Sequence, residues 1–127
     1  IEKLQNELTK LGVPNRVRIC SAHKQPAQLQ DALEAMNNSM EPCCIIACAG
    51  GTDALSGTAS FHSVFPVVTC APDGMNETCL TNPPGSSNSF IKSPGNTARH
   101  VAQIFSSHIR AIKTTYFFYL NMNFNFI

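Results

Sequence analysis

Charge is scarce in this chain and no sign of it dominates: 13% of the 127 residues are charged and the net charge is +1. A solvated helical bundle needs more charge than that, so the composition points to a buried α/β protein. With no basic stripe there is no electrostatic footprint for nucleic acid, and no sign of an acidic partner. No apolar run reaches the roughly 18 residues of a membrane span. The amphipathic start, Ile1-Glu2-Lys3-Leu4-Gln5, is not a secretory signal. The chain opens without Met and in mid-pattern, which reads as a fragment. The glycine pair at 50–51 has no Lys-Ser/Thr after it and does not belong to a G-x-G-x-x-G run, so two common phosphate-binding motifs are excluded.

The six cysteines, Cys20, Cys43, Cys44, Cys48, Cys70 and Cys79, include no paired C-x-x-C with a matching His pair, which argues against zinc. Most lie inside apolar, strand-like runs. They are expected to be reduced thiols of a cytosolic protein, packing as small hydrophobes and joined by no structural disulfide or metal.

Apolar periodicity alternates between helix and strand. Residues 1–11 are apolar at 1, 4, 8 and 11 and are stopped by Gly12 and Pro14. Residues 17–20 are a short strand candidate, and Pro26 opens a helix to about Met36. The run CCIIAC at 43–48 reads as a parallel strand covered on both faces. A small-residue loop at 50–56, a helix over 57–63, a strand over 65–70, a helical segment over 75–81, a rigid loop over 82–88, a weak strand over 89–92 and a final helix over 97–113 follow. Phe61, Phe65, Phe90 and Phe105 read as core. No internal repeat is present. The alternation predicts a parallel sheet with helices on both faces, and ligands in such folds sit beyond the carboxyl ends of the strands. Residues 21–26, 49–57 and 71–74 fall there, with 82–88 a fourth candidate. The uncharged tail at 114–127, rich in aromatics and Asn, stands apart from the 1–113 domain and is expected not to continue the last helix.

Two loops carry chemistry-bearing groups. SAHK at 21–24 gathers a hydroxyl, an imidazole and an ammonium at one strand end, and His titrates where proton transfer at neutral pH needs it. Alone, a His after a strand is more often a surface residue. Ala49-Gly50-Gly51 offers backbone N–H groups to an anion or carbonyl, although a Gly-Gly after a strand is more often a tight turn. His62, His100 and His108 read as surface residues, and Asp53 as a loop cap.

In one order, SAHK, an Ala-Gly loop with ALSG at 54–57, PVVTCAP at 66–72, PPGSS at 83–87 and AQIF at 102–105 resemble the aminoimidazole ribonucleotide (AIR) carboxylase family over about residues 1–110. Lys24 and the loop ending Leu55-Ser56-Gly57 are similar to the animal-type branch, whose members are often fused to a succinocarboxamide synthetase domain. The resemblance implies a three-layer, flavodoxin-like α/β fold, assembly as a homo-octamer, and carboxylation of 5-aminoimidazole ribonucleotide by CO2 without a cofactor or metal, in de novo purine biosynthesis. It implies His23 as proton acceptor and donor, Ser21 and Lys24 as substrate holders, Ala49, Gly50 and Gly51 as backbone donors to CO2 or the new carboxylate, and Ser86 as a substrate contact. Where the family has a first strand and a Gly-Ser-x-x-Asp loop for the ribose phosphate, these precede Ile1 and are expected to be missing. Gly51 stands where the animal-type branch carries Arg, and Thr52-Asp53 where it has Ser-Asn. The competing reading is an inactive carboxylase-like fragment that only folds or associates.

Overall fold

The computed structural model describes residues 1–71 and 77–112, and side chains as far as Ser106. The chain divides into two compact units: Arg16–Pro94, and Ile1–Asn15 together with the segment from Gly95 onward. The expectations for residues 72–76 and for the tail at 114–127 lie outside the described residues.

The second of these units supplies helices α1 (Glu2–Lys10) and α4 (Pro94–Ile112). In α1 the four-residue spacing buries Leu4 and Leu8 and leaves Ile1 exposed. Gly12, at φ +70°, turns the chain in the left-handed conformation that glycine adopts without a Cβ penalty. In α4, Thr97, Ala98 and Val101 are buried. The helix starts at Pro94 rather than at the expected residue 97, because proline is preorganised for the first helical position.

Residues 16–94 hold a three-stranded parallel sheet in the order β1 (Ile45–Ala47), β2 (Val67–Thr69), β3 (Ser89–Phe90). Helix α2 (Pro26–Asn37) precedes β1, and helix α3 (Ala54–His62) connects β1 to β2. A 3-10 turn at Thr78–Thr81 lies between β2 and β3. Parallel neighbours need such crossovers, so the alternation read from the sequence gives the parallel pairing. Leu29 and Leu33 of α2 pack with Ala47, Ala59 and Val67 in one core, against which Cys20, Ala22, Ile45 and Leu55 rest half-buried.

Two strand expectations need correction. Residues 17–20 form no strand: Val17 is 44% and Ile19 91% exposed, and no backbone group of 16–20 is hydrogen-bonded to another described residue. A strand exists only in a ladder, and no described strand lies beside this one. For the same reason β1, whose apolar run reads as fully covered, is an edge strand with Ile45 and Ile46 half-buried. Phe61 is also not core. It is 60% exposed at the end of α3, where its ring sits 3.2 Å from the position a Cβ on Gly85 would take.

Helix α3 begins three residues before the expected position because Asp53 caps it. The Asp53 carboxylate accepts the Ser56 N–H at 2.8 Å and the Ser56 hydroxyl at 2.6 Å, and both residues are buried.

Candidate functional site

The turn at residues 21–25 is fixed locally. The Ser21 carbonyl accepts the Gln25 N–H at 2.8 Å, and the Ser21 hydroxyl accepts the Lys24 N–H at 3.2 Å, a short Ser-turn. Gln25 closes it from the other side. Its side-chain oxygen accepts the Ser21 N–H at 3.2 Å. Its carbonyl accepts the Leu29 N–H at 3.1 Å and the Cys20 thiol at 3.6 Å. Gln25 is thus both the residue before α2 and the clamp of the turn. Only its place before Pro26 signalled that, since Gln is not a preferred N-cap residue.

His23 and Lys24 stand exposed on this turn. Neither side chain forms a hydrogen bond or ion pair with another described residue. Both are therefore free for a ligand.

The second loop leaves β1 at Cys48 and enters α3 at the Asp53 cap. The Asp53 N–H donates to the Thr78 hydroxyl at 3.2 Å, which pins this end of the loop. The N–H groups of Ala49, Gly50 and Gly51 donate to no other described residue. Neither glycine has a positive φ, and a Cβ on either would meet nothing within 4 Å. The backbone conformation therefore does not demand glycine here, and the space beside the loop is open. Arginine at position 51 should accordingly leave folding unchanged. Gly51→Arg is expected to shift stability by no more than about 0.5 kcal/mol in a urea titration; a loss above about 2 kcal/mol would show that the site is crowded.

The two loops meet. Residues 20–24, 48–52 and Leu55 line one cavity of about 520 Å³. Six of the seven expected site residues, Ser21, His23, Lys24, Ala49, Gly50 and Gly51, share it. Ser86 does not line it: its hydroxyl lies 3.5 Å from the Gly57 carbonyl and its N–H donates to the Pro83 carbonyl at 3.2 Å. The Ser86 loop is held separately, by Asn82 donating to the Asn88 side-chain oxygen at 2.8 Å and Asn88 donating to the Thr69 hydroxyl at 2.9 Å.

Cysteines that the sequence places in apolar runs border the site. All six are free thiols. Burial, and then the neighbouring Cys43, push Cys44 up to about 12. Cys48 is also raised, first by the neighbouring Cys70 thiol and then by burial. These groups stay protonated near neutral pH, so none is an activated nucleophile. Among the described residues no cluster of His, Cys, Asp and Glu could hold a metal ion, and no helix is long and apolar enough to cross a membrane.

A family model, AIR carboxylase, matches residues 1–118. The chain is 30% identical over 116 residues to the human bifunctional phosphoribosylaminoimidazole carboxylase/phosphoribosylaminoimidazole succinocarboxamide synthetase, covering 85% of this chain and 27% of that protein. It therefore spans about a quarter of the length of this bifunctional relative. It is 28% identical over 128 residues to a phosphoribosylaminoimidazole carboxylase of Treponema denticola, covering 96% of this chain and 80% of the relative. The crystal structure of Treponema denticola PurE superposes with a TM-score of 0.79 at 27% identity, over 96% of this chain and 81% of that one. The parallel α/β architecture is thus of the flavodoxin-like kind expected from the motifs.

Proposed function

The chain belongs to the AIR carboxylase family, and from that premise we propose that residues 1–113 form a domain that carboxylates 5-aminoimidazole ribonucleotide with CO2, a carboxy-lyase step of purine biosynthesis in the cytosol. One observation carries the reading: an exposed imidazole and an ammonium on one loop share a cavity with three unspent backbone donors on another.

The chemistry follows from the substrate. The aminoimidazole ring is enamine-like, so its C4 carbon can attack CO2 directly. The new C–C bond leaves C4 with both a carboxylate and a proton. Loss of that proton to His23 returns the electron pair to the ring and restores aromaticity. In the reverse direction His23 returns the proton and CO2 departs. The N–H groups of Ala49, Gly50 and Gly51 point their partial positive charge at the oxygens where negative charge develops. The missing Cβ atoms of the two glycines leave room for those oxygens. Lys24 supplies a fixed positive charge for anionic groups of the ribonucleotide, and Ser21 holds the turn that presents both. Ser86 joins the site only if the 82–88 loop moves toward the ligand. Assembly as a homo-octamer, and fusion to a succinocarboxamide synthetase domain as the name of the human relative describes, belong to the same proposal.

Lys24 separates binding from proton transfer. Lys24→Ala is expected to weaken ribonucleotide binding by about 10-fold in calorimetry, the equivalent of about 1.4 kcal/mol, and to raise KM more than it lowers kcat. Unchanged affinity would remove Lys24 from the site.

A further inference from the structure

β1 and β2 run in the register Ile45↔Val67, Ile46↔Val68, Ala47↔Thr69. The Cys70 N–H extends this ladder to the Ala47 carbonyl at 2.9 Å. One step further along both chains, the register sets Cys48 opposite Cys70. Directly opposed residues of a sheet present their side chains on the same face. The Cys70 thiol lies 4.0 Å from the Lys92 carbonyl, and Cys70 is the neighbour that most perturbs the Cys48 thiol. Cys48 is half-buried and lines the cavity, whereas Cys70 is 1% exposed. A thiol that lines the cavity is therefore set opposite a buried one in the ladder, beside the loop that carries Ala49, Gly50 and Gly51.

We propose that Cys48 and Cys70 form a reversible disulfide when the protein meets a small-molecule disulfide such as oxidised glutathione, and that this bond clamps the ends of β1 and β2 under the glycine loop. Strands sit about 4.7–4.9 Å apart, within the Cα separation of about 4.4–6.8 Å that a disulfide spans. The reaction balances in two exchanges. The protonated thiol is the favoured form of Cys48, so exchange runs slowly through its minor thiolate: the proton goes to water, and the thiolate attacks one sulfur of the small disulfide, whose S–S bond breaks and releases one small thiolate. Cys70 then gives up its proton and attacks the Cys48 sulfur, releasing the second. The two released thiolates take up the two protons. The protein pair is oxidised and the small disulfide is reduced to two thiols. Other cysteines compete poorly. Cys20 also lines the cavity, but its thiol is directed to the Gln25 carbonyl. Cys43 and Cys44 are neighbours in sequence, outside the cavity lining. Closing the bond draws the two sulfurs to about 2.05 Å, which moves Cys48 and with it the adjoining Ala49. The clamp thus couples the redox state to the shape of the cavity, whatever ligand the cavity takes.

The test is non-reducing peptide mapping of the whole native chain after incubation with oxidised glutathione and an acid quench. The expected product is a peptide joining Cys48 to Cys70, lost on treatment with dithiothreitol. In Cys70→Ser the reaction should stop at a glutathione adduct on Cys48, and Cys48→Ser should leave Cys70 unmodified. A wild-type product that stops at the Cys48 adduct, a bond from Cys48 to Cys20, Cys43 or Cys44, or a native protein left fully reduced would each overturn the proposal. The wild-type map decides even if a serine variant fails to fold.

Discussion

His23→Asn should lower the carboxylation rate by about 100-fold or more while ribonucleotide affinity stays within about three-fold, less than about 0.7 kcal/mol. The asymmetry comes from what each group does. Asn keeps the size of the side chain and some of its hydrogen bonding, but it cannot accept the C4 proton. In the proposed site the anionic groups of the ligand would rest on Lys24 and on the N–H groups of 49–51, none of which the substitution touches. The imidazole bonds no other described residue, and His23 is exposed, so no folding penalty is expected to blur the result. Wild type and variant are compared at saturating ribonucleotide, so that binding is not limiting. Calorimetry and a steady-state rate in bicarbonate-equilibrated buffer measure the two effects. A variant with near-normal turnover would make His23 a surface residue.

The second large effect concerns the scaffold under the glycine loop. Asp53→Ala is expected to cost about 2–4 kcal/mol of stability, the sum of a lost helix cap and of polar groups stranded in the interior. Ser56 is 0% exposed and Asp53 6%, so water cannot replace the carboxylate that now accepts both the Ser56 N–H and its hydroxyl. Asp53→Asn should recover about half of that loss, because its side-chain oxygen can still take the N–H. A chemical denaturation series reads all three proteins. Equal stability of Asp53→Ala and wild type would mean that the start of α3 is held by something other than its cap.

These two residues also show how far the sequence could be read. The place of His23 at the cavity is legible because its tetrapeptide follows a strand-like run and precedes a helix that opens with proline. Asp53 was visible as a cap, but the helix start it fixes was not, since residues 54–56 look like small-residue loop and their helical state depends on the two buried bonds to Ser56. The role of Gln25 is not legible in the sequence. Its clamp uses main-chain and side-chain groups at once, and no residue-type preference encodes that. The strand expected at 17–20 fails for a different reason. Strand propensity describes a side-chain pattern, whereas a strand requires a ladder partner, and none lies beside residues 16–20 among the described residues. Ile19 is correspondingly exposed, and β1 lies at the edge of the described sheet with Ile45 and Ile46 half-buried. Phe61 departs from its expected core place because apolar type alone does not say which face of α3 points inward. The buried positions on that helix are Ser56, Ala59 and Ser60, small residues that leave the aromatic ring outside.

The central claim is that the two loops around the cavity, with His23 as proton acceptor, carboxylate an aminoimidazole without help from ATP. The most direct measurement is transfer of label from radioactive bicarbonate into acid-stable ribonucleotide, catalysed by this protein with AIR as the only other substrate. The expected result is ATP-independent incorporation that His23→Asn abolishes. A folded, ribonucleotide-binding protein that incorporates no label, or does so equally well with Asn at position 23, would contradict it.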